Sequence, residues 1–290
     1  MTPEPAAMRD TLFHYQLDGR ANSRRPGAHA GRHGGAGHEF LAHARLFDHP
    51  DPRRLDLRAS VRAGSDAWLV RTYHQRAATA VYAVVDVSAS MACGAPRKID
   101  VAADFTASMA ESAFRTGDAA GLIAYDGAPR ADLYQLAQHR RMAGQAMAAM
   151  LRQASPASTP GCGLAAALRP LAGRQALVFL VSDFHWPLSQ VAEALALLAR
   201  AWVVPLVVWD STEAAPPAAN AFVRLRDAES GQLRSLWLTP GLRGQWQQAI
   251  ATRRSQLAAL FATRNLRPLY LCGAFDAAAL SRYFAEGERQ

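Results

Sequence analysis

Three oxygen-bearing side chains stand at alternate positions in one short stretch of this sequence. Asp86, Ser88 and Ser90 come directly after the apolar run VYAVV. A second run of the same character, ALVFLVS, is followed by Asp183. Divalent cations such as Mg²⁺ take oxygen ligands in near-octahedral geometry at about 2.0–2.1 Å and keep several waters. These residue types therefore indicate a Mg²⁺ or Mn²⁺ site made from two strand ends.

Such a site requires both apolar runs to be strands of one sheet. In open α/β sheets, ligands bind beyond the carboxyl ends of the strands, near the point where the strand order reverses. Because a strand alternates its side chains, positions i, i+2 and i+4 point towards one cavity where the chain leaves the sheet. The carboxylate of Asp183, in the second loop, would then complete the cage around the ion.

The chain from Ala77 onwards has the pattern of a parallel sheet covered by helices, since short β-branched runs alternate with longer helical stretches. The predicted strands are AVYAVVDVS, GLIAYD, ALVFLVSD, WVVPLVVWD and PLYLCGA. PRADLYQL closely follows GLIAYDGA and predicts an antiparallel edge, and AFVRLRDAESGQLRSLWL has two short runs separated by a turn at Ser230-Gly231. We therefore expect an α/β fold with a doubly wound, mainly parallel sheet and one antiparallel edge.

Residues 1–76 have a different composition, rich in Arg, His, Gly and Pro. The stretch from Arg24 to Phe40 has almost no large apolar side chains, which is typical of a solvated loop or linker. WLVRTYHQR, from Trp68 to Arg76, alternates like a strand. The sequence therefore predicts a small irregular N-terminal region with short strands over residues 1–76 and an α/β domain over residues 77–290.

Composition and charge narrow the classes of protein. The net charge of +8 comes from arginines mixed with 24 carboxylates, which is a weak electrostatic footprint for a nucleic acid binder. The three cysteines form no C-x-x-C pair, so we expect a reducing, cytoplasmic setting without disulfides. We also expect no membrane span, because no stretch of about 18 uninterrupted apolar residues occurs.

The spacing Asp86-x-Ser88-x-Ser90 after a buried strand resembles the metal-ion-dependent adhesion site of von Willebrand factor A domains and integrin inserted domains. The resemblance implies a von Willebrand factor A/Rossmann-like fold. It also implies that the two serines bind the metal directly, whereas Asp86 and Asp183 act through water.

A threonine from the intervening loop is the remaining ligand that this resemblance implies. Thr159 aligns with it, although the spacing to the following helix would place Cys162 there instead. A neutral thiol is a poor Mg²⁺ ligand. Thr159 is therefore the preferred third ligand.

The similarity extends beyond the motif, to EFLAHARLFDHPDPRRLDLRASVRAG upstream and RTGDAAGLIAYDG downstream. These stretches resemble the bacterial family called domain of unknown function 58, from about Gly27 to the C-terminus. Membership implies a MoxR-type AAA+ ATPase as partner. It also implies an accessory role in the assembly or maturation of a protein complex.

A binding module is the function that the motif favours. The metal would keep one coordination position open for an Asp or Glu carboxylate of a protein partner. Because the serine hydroxyls are neutral, the ion stays an effective electrophile for that carboxylate. The structural alternative is that Asp86, Ser88 and Ser90 only cap the helix beginning near Lys98, which Asp and Ser residues commonly do.

Enzymatic and nucleic acid alternatives have less support. An aspartyl phosphatase using Asp86 would need a second carboxylate where Ser88 stands, and a serine hydrolase using Ser88 or Ser90 would need a G-x-S-x-G elbow, which is absent. The sequence also has no G-x-x-x-x-G-K-[ST] for ATP. Nucleic acid binding through the basic N-terminal region would show a steep salt dependence.

Overall fold

The computed structural model describes residues 12–17, 21, 23, 25–35, 39–64, 68–155, 163–214, 216–226 and 232–287. The chain divides into two compact units. The small unit comprises Gln16–Thr79 with Thr116–Asp118, and the large unit comprises Met1–Tyr15, Ala80–Arg115 and Ala119–Gln290.

Within the described part of the small unit, three strands form an antiparallel sheet. Its elements in chain order are β1 (Pro26–Gly35), β2 (Glu39–Arg45), α1 (Leu57–Arg62) and β3 (Leu69–Ala77). β3 lies in the middle and pairs with β1 on one side and β2 on the other. The strand predicted from Trp68 to Arg76 is thus confirmed. The prediction of a loop from Arg24 to Phe40 is wrong for the residues of β1 and for Glu39 and Phe40, which begin β2.

Close backbone packing explains why β1 has so few apolar side chains. A Cβ on Gly27 would lie 2.4 Å from the Cα of Ala78, and one on Gly31 would lie 2.1 Å from the carbonyl oxygen of Gln75. Glycine is the residue that allows a backbone to approach this closely. A strand held in this way has no apolar alternation for a sequence pattern to detect.

A buried polar pair also fixes β1. The Nε2 atom of His29 lies 2.7 Å from Oδ2 of Asp118, and both side chains are buried. The other carboxylate oxygen of Asp118 accepts a hydrogen bond from the backbone N–H of Thr79 at 2.7 Å. His29 is therefore part of the interior of the small unit rather than of a solvated loop.

Among the described residues of the large unit, six strands form the central sheet and two more form a hairpin. In chain order the strands are β4 (Ala80–Asp86), β5 (Ala119–Tyr125), β6 (Pro129–Gln138), β7 (Leu177–Ser182), β8 (Trp202–Trp209), β9 (Ala221–Arg226), β10 (Leu233–Leu238) and β11 (Leu269–Cys272). The central sheet has the spatial order β11-β8-β7-β4-β5-β6. β6 is antiparallel to β5, and the other neighbouring pairs are parallel. The predicted mainly parallel sheet with an antiparallel edge is confirmed.

The strand order places a reversal point in the middle of the sheet. From β4 the chain moves to β5 and β6 on one side, and it then returns to β7 beside β4 and continues to β8 and β11 on the other. The carboxyl ends of β4 and β7 therefore lie next to each other where the order reverses. β9 and β10 pair as an antiparallel hairpin in a separate sheet, and their predicted turn at Ser230-Gly231 lies outside the described residues.

Helices pack against both faces of the central sheet. They are α2 (Lys98–Thr116), α3 (Ala143–Gln153), α4 (Leu164–Leu168), α5 (Leu188–Leu197), α6 (Ser211–Ala214), α7 (Pro240–Ala262) and α8 (Ala277–Gly287). On one face Phe105 of α2 meets Phe179 of β7, with ring centroids 5.0 Å apart. The next strand residue, Leu180, points the other way and joins a core that includes Leu195 of α5 and Phe261 of α7. None of the described helices combines the length and the apolar character needed to cross a membrane.

The close approach of β1 to β3 gives a stability test. Gly31→Ala should lower the free energy of unfolding by about 1–3 kcal/mol, because the methyl group overpacks against a backbone carbonyl. Gly244→Ala in α7 is the matched control, since its methyl group meets open space and alanine favours a helix interior. Urea unfolding followed by circular dichroism measures both variants, and equal midpoints would contradict the packing of β1.

Candidate metal centre

Two buried carboxylates meet at the reversal point of the central sheet. β4 ends at Asp86, and Asp183 follows the last residue of β7. The strands are parallel neighbours, with Val85 paired to Val181. Asp86 is 1% exposed and Asp183 is fully buried. Charged groups are costly to bury unless hydrogen bonds or opposite charges compensate them, so the surroundings of these two carboxylates decide what the site can do.

Hydrogen bonds from both loops orient the carboxylate of Asp86. One of its oxygens, Oδ1, accepts from the backbone N–H of Ser88 at 2.9 Å. The other, Oδ2, accepts from the hydroxyl of Ser182 at 2.7 Å and from the indole N–H of Trp186 at 3.1 Å. All three donors are neutral. Asp86 is thus fixed in direction without receiving a full positive charge.

The two serines of the motif present their hydroxyls side by side. Oγ of Ser88 lies 3.2 Å from Oγ of Ser90. Adjacent ligands of an octahedral ion with bonds of 2.0–2.1 Å are about 3 Å apart, so this spacing fits two direct ligands. Ser88 also precedes a short 3₁₀ helix, Ala89–Ala92, but its side chain makes no capping hydrogen bond there. The hydroxyl of Ser88 therefore does not cap this short helix.

The loop after β7 has an unusual backbone that aims Trp186 at Asp86. Phe184 has a φ of 52°, in the left-handed region that bulky residues rarely adopt. Its N–H donates to the hydroxyl of Ser182 at 2.9 Å. The guanidinium of Arg253 donates to the carbonyls of Phe184 and Trp186, at 2.5 Å for the latter. Such strain persists only where the surroundings hold it, and here a helix and a strand residue do so.

The carboxylate of Asp183 forms an ion pair with a buried lysine. Nζ of Lys98, in the first turn of α2, donates to Oδ2 of Asp183 at 2.6 Å and to Oε1 of Glu213 at 2.8 Å. Lys98 is 1% exposed and is the single lysine of the sequence. Glu213 comes from the short helix α6, and His185 lies beside it with Nε2 3.6 Å from Oε1. Sequence reasoning assigned no role to these three side chains.

The pKa shifts follow this unequal pairing. Burial, together with the charge of Asp183, raises the pKa of Asp86 to about 6, against hydrogen bonds from Ser88 and Ser182 that lower it. Burial acts in the same direction on Glu213, but hydrogen bonding to His185 and the charge of Lys98 outweigh it and lower the pKa to about 2. Burial disfavours the Lys98 ammonium, yet Asp183 and Glu213 prevail and raise its pKa. Lys98 and Glu213 are therefore charged at neutral pH, whereas Asp86 forms no ion pair with any residue that the structure describes.

The structure brings together four of the five predicted ligands: Asp86, Ser88, Ser90 and Asp183. Thr159 and its alternative Cys162 lie outside the described residues. The end of that loop is anchored near the carboxyl end of β5, because the N–H of Gly163 donates to the carbonyl of Asp126 at 2.7 Å. Gly163 therefore lies at the same edge of the sheet as Asp86, which ends β4 beside β5.

Ionisation of Asp86 should destabilise the metal-free fold. Its pKa is about 6 in the folded chain, against 3.8 for an aspartate in its ordinary, water-exposed state. The folded state therefore holds the proton more tightly than the unfolded state. The free energy of unfolding should fall by about 2–3 kcal/mol on account of this group as the pH rises from 4 to 7.

Urea unfolding in the presence of a chelator measures this slope across the pH range. Asp86→Asn is the control, because it cannot ionise and should lose this component while keeping the contributions of all other groups. Identical pH profiles for the two proteins would contradict the raised pKa. Saturating Mn²⁺ should flatten the wild-type profile, since a bound cation favours the ionised carboxylate.

Two mycobacterial proteins described as uncharacterized are similar to this chain. One protein of Mycobacterium bovis and one of Mycobacterium tuberculosis are each 31% identical to it over 183 residues. The matched region is 60% of this chain and 56% of each relative. The chain therefore spans a little over half the length of these curated relatives.

Solved structures give more distant similarities. The chain resembles a conserved hypothetical protein, BatB, from Bacteroides thetaiotaomicron, with a TM-score of 0.41 and 17% identity over 73% of this chain and 100% of that chain. It also resembles an uncharacterized membrane spanning protein from Vibrio fischeri, with a TM-score of 0.24 and 14% identity over 72% of this chain and 96% of that chain. Similarities at these scores support no closer assignment of the fold.

A family model gives the assignment that these relatives leave open. The model described as protein of unknown function DUF58 matches residues 45–256. This segment is well over half of the chain and includes both strand ends of the candidate metal centre. The chain therefore belongs to the DUF58 family.

Proposed function

We propose that this chain is a metal-dependent protein-interaction module. A Mg²⁺ or Mn²⁺ ion bound by Ser88 and Ser90 would receive an Asp or Glu carboxylate from a partner protein. The observation that carries the proposal is the pair of serine hydroxyls 3.2 Å apart, beside the buried carboxylate of Asp86, for which the described residues provide neutral hydrogen-bond donors and no ion pair. Neutral direct ligands leave the ion electron-poor, and an incoming carboxylate completes both its coordination and its charge.

The strand order supports a doubly wound sheet of the von Willebrand factor A/Rossmann-like kind. β4 lies centrally with β5 and antiparallel β6 on one side, and β7, β8 and β11 follow on the other. In sheets of this class, ligands bind at the carboxyl ends of the strands where the order reverses. Asp86 and Asp183 flank that point.

The donor set suits a hard cation held partly through water. Asp86 is turned towards the site by Ser88, Ser182 and Trp186, and a carboxylate oxygen has lone pairs left to accept a hydrogen bond from a metal-bound water. Burial and the charge of Asp183 raise the pKa of Asp86, and the positive charge of a divalent ion would oppose both effects. Thr159, outside the described residues, stays in the proposal as the third direct ligand.

The geometry gives little support to the alternative that the chain is a serine hydrolase. A serine nucleophile would need a base within about 3 Å of its hydroxyl. The ring of His185 instead faces Glu213 and lies parallel to the ring of Trp209, at an interplanar angle of 6°. We therefore assign no catalytic residue and retain the binding function.

We further propose that the partner is a MoxR-type AAA+ ATPase, or a protein on which that ATPase acts. The support is the family resemblance in the stretches before and after the motif. The role would be that of an accessory protein in the assembly or maturation of a protein complex. An ATP-driven partner would place this interaction in the cytoplasm.

Metal binding should be visible as thermal stabilisation. Millimolar Mg²⁺ or Mn²⁺ should raise the melting temperature of the wild-type chain by a few degrees, because an ion that binds the folded state alone stabilises it. Asp86→Ala with Ser88→Ala should abolish the response. Asp132→Ala with Ser235→Ala is the matched control, since both side chains are exposed, and it should respond like the wild type. An unchanged response in the Asp86, Ser88 variant would refute the site.

The partner is tested separately from the metal. A pull-down of the purified chain with the MoxR-type ATPase encoded nearest to it should succeed in Mg²⁺ and fail with a chelator. Ser88→Ala with Ser90→Ala should weaken the capture at least tenfold, because a lost metal ligand typically costs that much or more. Capture that is equally strong in chelator would contradict a metal-mediated contact.

A further inference from the structure

The single lysine of the chain lies where a cation is needed. Its ammonium is buried between two carboxylates, 2.6 Å from Asp183 and 2.8 Å from Glu213. Lysine side chains are rarely buried this deeply unless they are paired. At 1% exposure Lys98 cannot reach a partner protein, so its task is internal to the site.

The side chains around this ammonium form a ligand set for a metal ion. One ligand atom from each of Asp183, His185 and Glu213 lies within 4.8 Å of the other two. Bonds of about 2.0–2.2 Å from one ion to imidazole nitrogen and carboxylate oxygen place such atoms roughly 3–4.5 Å apart. The three groups could therefore share one ion with small adjustments. Two of them instead share the ammonium.

We propose that Lys98 is a tethered substitute for a second metal ion: its ammonium holds Asp183 and Glu213 in place of a divalent cation. This limits the centre to one exchangeable ion, at Ser88 and Ser90. The inference rests on the proposed function for that first ion, but the substitution at Asp183 stands on its own geometry.

Because the ammonium of Lys98 is covalently attached to the chain, a chelator cannot remove it from Asp183 and Glu213. Glu213 also accepts from the N–H of Asp210 at 2.9 Å, and the carboxylate of Asp210 accepts from the N–H of Ala95 at 3.1 Å. Through Lys98 this network joins the loops after β4, β7 and β8. Asp183 therefore keeps one direction whether or not an ion sits at the serines, and Lys98 acts as a positioning residue.

The test removes the ammonium in a chain that has already lost the first ion site. The parent is Ser88→Ala with Ser90→Ala, which should bind no Mn²⁺ in equilibrium dialysis. Adding Lys98→Met, an apolar side chain of similar length, should create one Mn²⁺ site per chain. Adding His185→Ala or Glu213→Gln to that protein should weaken the new site at least tenfold.

Lys98→Arg in the same parent is the conservative control, because it keeps a positive charge in place and should bind no Mn²⁺. The proposal is overturned if the Lys98→Met protein is folded and takes up no more Mn²⁺ than its parent. It is also overturned if the parent, with Lys98 present, already binds Mn²⁺ in a manner that Glu213→Gln removes.

Loss of the ammonium leaves Asp183 buried without a countercharge, so Lys98→Met could unfold. In that case Mn²⁺ must restore the circular dichroism spectrum of the fold, since the proposal requires a divalent ion to replace the ammonium. A chain that stays unfolded at every Mn²⁺ concentration would refute it. Failure of Ser88 and Ser90 to bind metal in the wild type would refute the proposed function. The number of Mn²⁺ ions bound by the Ser88→Ala, Ser90→Ala parent and its Lys98 variants would be unaffected by that result.

Discussion

The central constraint in this protein is the burial of two carboxylates at the ends of adjacent parallel strands. Asp86 and Asp183 repel each other, and neither is exposed enough for water to screen the repulsion. The chain compensates them unequally. Asp183 is paired with an ammonium that it shares with Glu213, whereas the hydrogen bonds that Asp86 accepts from described residues come from neutral donors. Because of this asymmetry, the charge of Asp183 is compensated by Lys98, whereas the carboxylate of Asp86 is able to attract a cation.

The ammonium pair also ties the site to the fold. A buried ion pair gains little net stability over apolar packing, but breaking one partner of it is expensive because the other charge stays buried. Lys98 opens α2, Asp183 follows β7, and Glu213 belongs to α6. One interaction therefore fixes the start of a long helix relative to two strand ends. The geometry of the candidate metal centre and the packing of the large unit depend on the same contact.

The sequence predicted the features that have a local pattern. Apolar runs ending in Asp86 and Asp183 identified the two strand ends, and the short spacing before β6 identified the antiparallel edge. β1 was missed, because Gly27 and Gly31 pack through backbone and leave no alternation. The pairing of Lys98 with Asp183 spans 85 residues, a separation at which periodicity carries no information. The one feature of the sequence that pointed to a special role for Lys98 was that it is the single lysine in a chain whose other basic side chains are arginine and histidine.

The indole of Trp186 has a consequence for how this site can be observed. Its N–H donates to the same carboxylate oxygen of Asp86 that Ser182 contacts. The emission of an indole shifts with the charge and hydrogen bonding around its nitrogen. A change in the charge state of Asp86 therefore acts directly on one of the six indoles that the chain already carries.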